Sequence, residues 1–415
     1  MCGWRHHFWM VAALGMAAGS TLTWCTAYSP ASAFAAASPA LSGEPNAALI
    51  DHYLTHIRTG LTAYRGQRFD EATQAFEAAT TLQPSEPLAY RYLAELHWRA
   101  GKPAPAQQAV RSLAGVVQDA YALDQVGRAY EEAGLTELAV WVYREAVVLD
   151  PNFPGAHYNL GRLYLEAGDL KHGVAEMQVT LHLHPDFPEA HQALGMAYTE
   201  QGRFDDAVVH LQRALALAPD LTVVRNHLGR IFLAQGRLEE AVQTFRVLVE
   251  RAPDVIEGRH NLAVAYARQG RQEPAIEQFT EALRLQPDFH AARLDLAALL
   301  LEMGRFPDAI DTLQAGLAAA VAGTGEPVPR ELIELRYRLG LAYRMAGQRP
   351  QAIRELQAVV RGDPTHAGAH ANLSYLHYQI QDFDRAWRHA RRAESLGLPV
   401  PELLAALRRV STEPP

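Results

Sequence analysis

Between residues 188 and 221 the apolar positions follow the spacing of two helices joined by a short break. His191, Leu194, Gly195 and Tyr198 fall at i, i+3, i+4 and i+7, so they share one helical face. Pro188 suits the first turn, where a missing N–H costs nothing. Gly202 ends this run, and Phe204, Ala207, Val208, Leu211, Ala214 and Leu215 resume the helical spacing. Pro219 excludes continuation, because it lacks a donor and disfavours a helical Ala218. The stretch predicts a helical hairpin. Gly195 and Ala207 are small where bulk would be expected, which predicts that the two backbones approach closely there.

Moving outward at a period of 34 residues recovers the same landmarks on both sides. The copies run 53–86, 87–119, 120–153, 154–187, 188–221, 222–255, 256–289, 290–322, 333–366 and 367–400, ten in all. Some depart from the pattern. The first has its inter-helix glycine displaced to Gly66. Pro103 and Pro105 stand where the second helix of the next copy should begin, which predicts a loose helix, and Gly173 replaces the usual alanine and predicts a softened one. The eighth copy lacks its terminal proline and runs into an insertion near 323–330. Pro401 to Val410 carries Leu403, Leu404 and Leu407 on one side and Arg408 and Arg409 on the other, the pattern of a capping helix, followed by a polar tail to residue 415. The expected fold is all-α: a solenoid of antiparallel helix pairs over 51–400, each pair burying its face on its neighbours, closed by the cap.

Composition narrows the partners. The hydrophobic share of 49% supports a large buried surface. The formal charge of −8, without a basic block, argues against nucleic acid, which would require a basic stripe. Residues 1–35 form a separate segment: Arg5, His6 and His7 precede an uncharged run, and Ala33-Phe34-Ala35 has the small-x-small form of a signal-peptidase site. Export with cleavage and retention as a membrane anchor are both open, and each places the rest of the chain outside the cytoplasm. Residues 36–50 read as a flexible linker. The only cysteines are Cys2 and Cys25, so the cleaved chain would have no disulfide, thiolate nucleophile or cysteine metal site.

The recurring residues, in the clearest copy Leu194-Gly195, Tyr198, Gly202, Ala207, Leu211, Ala214 and Pro219, resemble the tetratricopeptide repeat family over about 350 residues. The resemblance implies a right-handed superhelix whose first helices line a concave groove that holds a peptide or a partner segment. On that geometry the positions of Gln192, Ala193 and Met196 face the groove, and equivalent positions form columns. They hold Arg128, Tyr158, Asn159, Arg162, Asn226, His227, Arg230, His260 and Asn261, the candidate partner-binding residues. Amides can bond peptide backbone, and arginine can fork onto a carboxylate. Asn159, Asn261 and Asn372 resemble an interrupted version of the asparagine ladder in the repeat arm of O-GlcNAc transferases. The lysine, asparagine and arginine set with which such repeats clamp chaperone C-termini is missing.

Catalysis is not expected. The sequence has no phosphate-cradling glycine loop, nucleophile elbow or HExxH motif. Asp205-Asp206 and Glu239-Glu240 start second helices, where carboxylates favour the positive end of the dipole. His157, His191 and His370 recur at one packed position, which points to structural imidazoles; no cofactor and no metal site follow. The expected function is a non-catalytic protein-interaction scaffold in a cell-envelope or secreted assembly. A spacer using its convex face or ends is the alternative, and a repeat arm of a glycosyltransferase-like enzyme a further one.

Overall fold

The structure, a computed structural model, describes residues 44–321 and 330–412. These residues form 21 helices and no strand. They group into two compact units that divide after Pro151. The first contains α1 (Glu44–Arg65), α2 (Phe69–Leu82), α3 (Pro87–Arg99), α4 (Pro103–Val117), α5 (Ala120–Glu132) and α6 (Thr136–Leu149). The second begins with α7 (Pro154–Glu166), α8 (Leu170–Leu183), α9 (Pro188–Glu200), α10 (Phe204–Leu217), α11 (Thr222–Ala234), α12 (Leu238–Arg251), α13 (Ile256–Arg268) and α14 (Gln272–Leu285). It continues through α15 (His290–Glu302), α16 (Phe306–Val321), α17 (Arg330–Met345), α18 (Arg349–Gly362), α19 (Ala367–Gln379), α20 (Phe383–Ser395) and α21 (Pro401–Val410). Odd and even helices up to α20 pair, each pair packs on the next within its unit, and α21 covers α20.

The small residues act as the spacing predicts. A Cβ on Gly195 would lie 2.5 Å from Leu211 and 3.3 Å from the Ala207 carbonyl, so α9 and α10 cross in backbone contact. Gly229 and Phe245 repeat this contact, with 2.5 Å to the ring. Gly173 does not break its helix: α8 is continuous there, and a Cβ would overlap Leu165, so the glycine is a packing residue. Nor do the prolines break α4. Pro103 opens it and Pro105 lies in the first turn, where helix N–H groups have no intrahelical acceptor anyway. The described part of α1 begins at Glu44, inside the stretch read as linker. Residues 1–35 lie outside the described residues, and of the insertion near 323–330 only Arg330 is described, as the first residue of α17.

At the turn between paired helices, glycines from Gly101 to Gly347 take φ between 69° and 80°. The first and last repeats depart: Gln67 (φ 57°) and Gln381 (φ 62°) occupy this left-handed position, one residue after Gly66 in the first case. A side chain is strained there. Gln381→Gly is therefore expected to stabilise the last repeat by about 0.5–1 kcal/mol, read as a higher urea midpoint for the loss of Trp387 fluorescence.

Beside the turn, Arg203 stacks over Tyr198 at 4.2 Å, Arg237 over Phe232 at 4.5 Å and Arg271 over Tyr266 at 4.5 Å. Arg203 also donates to Asp206, and Arg237 to Glu240, each at 2.8 Å. The other acid of each couple accepts from the following repeat: Gln235 donates to Asp205 at 3.0 Å, and Gln269 to Glu239. These carboxylates hold turns and join repeats as well as facing the helix dipole.

A second polar device lies in the column of His191. Its residue reaches back to the carbonyl of the loop proline six positions earlier, and across to the second helix nineteen positions later. His191 donates from Nε2 to the Pro185 carbonyl at 2.9 Å, and its Nδ1 meets His210 Nδ1 at 2.9 Å. Arg293, only 6% exposed, donates to the Pro287 and Thr312 carbonyls. Arg225 and Arg259 reach the Pro219 and Pro253 carbonyls, Arg336 pairs with Glu355 at 2.9 Å, and His157 meets Glu176 at 2.6 Å. The histidines here are structural, and arginine does the same work in four copies.

Candidate functional site

Consecutive first helices touch one another in the second unit: α7 with α9, α9 with α11, α11 with α13, α13 with α15 and α17 with α19. Their polar columns meet along these seams. Asn261 Nδ2 donates to Asn226 Oδ1 at 2.8 Å, His260 Nε2 meets Asp295 Oδ2 at 2.8 Å, and Asn372 Nδ2 lies 3.5 Å from the Tyr337 hydroxyl. Each bond spans 35 residues, joining the Gln192 position of one repeat to the Ala193 position of the next. The two columns are therefore one diagonal ladder, and part of its hydrogen-bonding capacity is spent on holding repeats in register. Arg268 adds a bond to the Leu233 carbonyl at 3.2 Å along the same seam.

The candidate residues sort by this geometry. Asn226, His227, Arg230, His260 and Asn261 lie together on α11 and α13. Arg230 is exposed, and the other four are half-buried. His227 is pushed down to about 4, first by burial and then by Arg230, so it is a neutral imidazole at pH 7. His260 packs between the Phe279 and Phe289 rings. On α7, Tyr158 stands edge-on to Phe187 at 4.9 Å, and Arg162 donates to Glu166 at 2.7 Å. Asn159 departs from the expected open face. At 5% exposure it is buried. Arg128 belongs to the first unit, where it is exposed and 3.2 Å from the buried carboxylate of Asp124.

Two residues outside the candidate set, Arg268 and Asp295, bond across the seams on either side of α13. Their signal is the spacing of 35, which sets the Asp295 carboxylate against His260 and the Arg268 guanidinium against the Leu233 carbonyl. Among the described residues no group of three or more histidine, cysteine and acidic side chains is placed to hold a metal ion, and no helix is long and apolar enough to cross a membrane.

Tetratricopeptide repeat family profiles match residues 57–122, 158–222 and 337–397, residues 198–263 and 266–322, residues 127–168 and residues 256–275. A comparison with curated proteins finds no match. Among solved structures, YrrB, described as a TPR protein with an unusual peptide-binding site, is 24% identical. That alignment covers 44% of this chain and 94% of YrrB, with a TM-score of 0.41. A tetratricopeptide repeat protein from Parabacteroides merdae is 16% identical over 61% of this chain and 97% of its own, with a TM-score of 0.43. PilF of Pseudomonas aeruginosa is 20% identical over 55% and 97%, with a TM-score of 0.41. From its helix pairs, its turn glycines and these profile matches along its length, the chain belongs to the tetratricopeptide repeat family of protein-interaction scaffolds.

Proposed function

We propose that the chain is a non-catalytic scaffold that holds an extended peptide or protein segment against its first helices, centred on α11 and α13, within a cell-envelope or secreted assembly. One observation carries the site. In the Asn226–Asn261 bond, Asn226 uses its carbonyl and Asn261 its amide, which leaves the Asn226 amide N–H groups and the Asn261 carbonyl for a ligand. That donor and acceptor match a peptide group. The surrounding surface carries Arg230 and Arg268, and Asp295 is engaged by His260. An acidic or mixed segment suits it better than a basic one. The export signal read in residues 1–35 supports the envelope setting.

The test is retention of co-purifying partners by the chain lacking residues 1–35, compared with Asn226→Ala/Asn261→Ala and with Arg162→Ala/Arg230→Ala. Each double variant is expected to weaken capture about tenfold or more, as loss of one or two hydrogen bonds to charged or peptide groups implies, and salt should weaken the wild type by screening the arginines. Partners held equally by all three proteins would exclude this surface and favour the convex face.

A further inference from the structure

The tenth repeat contains three imidazoles in one cluster: His370 and His377 on α19 and His389 on α20. His370 Nε2 lies 3.3 Å from the Pro364 carbonyl. A carbonyl only accepts, so this nitrogen carries the proton and the neutral ring presents a bare Nδ1. That Nδ1 is 2.9 Å from His389 Nδ1, which must therefore be the donor. His377 stacks on His389 with ring centroids 5.8 Å apart. It stands where the preceding repeat has Tyr343, its side chain is 1% exposed, and neither ring nitrogen makes a hydrogen bond; Asp382 is 3.5 Å away.

A proton on His370 cannot enter this arrangement without breaking its bond with His389. Protonated His370 would turn an N–H toward the N–H of His389. The charged groups acting on the cluster offer little relief. Arg385 and Arg388 of α20 act on His377 and His389, and Arg392 of α20 acts on His370. Asp382 at the head of α20 is the carboxylate beside His377, but Arg385 already pairs with it at 3.2 Å. Asp363 and His366, from the loop before α19, act on His370. The sister repeats mark the contrast. Arg336 and Glu355 occupy in the ninth repeat the places of His370 and His389, and pair at 2.9 Å without needing to titrate. In the fifth repeat His191 and His210 share the same Nδ1 contact, but Asp206 acts on His210 and offsets part of the charge.

We infer that the tenth repeat is an acid-operated latch: protonation of the His370–His377–His389 cluster separates α19 from α20 and frees the C-terminal end of the array, α20 and α21, while the Arg-containing repeats stay closed. α21 is held chiefly by α20: Leu404 and Leu407 pack with Ala386, Trp387 and Ala390 of α20, and Trp387 Nε1 donates to Ser411 at 3.0 Å. The direction of titration agrees. Burial pushes His389 from 6.5 down to about 4, and His370 and His377 are lowered for the same reason. A depressed folded value means that the neutral form stabilises the repeat above about 6.5, and that this stability is lost as pH falls through about 4.

The experiment is amide hydrogen exchange on the chain lacking residues 1–35 at pH 7.5 and 4.5, corrected for intrinsic exchange. Protection in α19–α21 is expected to fall about tenfold or more at the lower pH, relative to α15–α16, where Arg293 holds the equivalent place. His370→Arg/His389→Glu, which copies the ninth repeat, is expected to keep that protection. Unchanged protection in the wild type, or an equal loss in the double variant, would overturn the latch. Imidazole NMR titration of the wild type gives a reading independent of variant folding: the three rings should protonate together with the loss of protection, and ordinary titration near 6.5 with α20 still protected would sink the proposal.

Discussion

Phe245→Ala is expected to cost about 3–5 kcal/mol, a large part of what holds the centre of the second unit closed. The ring is fully buried on α12, among Leu228, Phe232, Ala241 and Leu248 and directly against Gly229 of α11. Removing it leaves a cavity that neither helix can fill, because each is pinned on its far side by the next repeat. Gly229→Ala should cost about 1–3 kcal/mol for the opposite reason, since its new Cβ falls 2.5 Å from the ring. Together the two changes answer one another: the methyl group added to α11 enters space that the ring has vacated. The double variant is expected to be more stable than the sum of the single losses by about 1–2 kcal/mol. Amide exchange across α11 and α12 measures this locally, which matters in an array whose repeats need not unfold together. Strict additivity would mean that the glycine and the ring do not meet.

The same contact shows how far the sequence could be read. Period, small residues and turn glycines depend on a repeat's own backbone, so Gly195, Ala207 and Gly202 could be placed from one copy and transferred to the others. The Leu404 and Leu407 cap was legible for the same reason, as one apolar face with a single possible neighbour. Interactions between copies were not. A column read one repeat at a time treats Asn226 and Asn261 as two groove residues, whereas the helix offset brings residue i of one repeat against residue i+35 of the next and spends half of each amide. Asn159, read as a residue of the open face, is buried. Gly173 was misleading because propensity prices a glycine by its backbone freedom, and here Leu165 on the opposite helix requires it. Arg293 of the His191 column was passed over because a buried cation with no carboxylate beside it looks improbable in sequence; the loop-proline carbonyl that helps to solve the problem has no residue-type signature.

Two main-chain carbonyls make Arg293→Met the sharpest test of the second polar device. Arg293 is 6% exposed, and its guanidinium bridges the Pro287 carbonyl before α15 and the Thr312 carbonyl on α16, so one side chain ties the entry loop to both helices of the eighth repeat. Gly316 is part of the fit, since a Cβ there would overlap the arginine stem. Burial lowers the arginine's affinity for its proton, yet a guanidinium remains charged, so the cation stays and the two carbonyls are its compensation. Methionine fills most of the stem's volume but strands both carbonyls, at a cost of about 2–4 kcal/mol. Lysine separates volume from geometry. It keeps the charge, but a single ammonium has no planar fork to span two carbonyls, so Arg293→Lys should lose most of the same stability. If lysine instead behaved like the wild type in exchange measurements over α15 and α16, charge alone would account for the position, and the bridging geometry would have no energetic role.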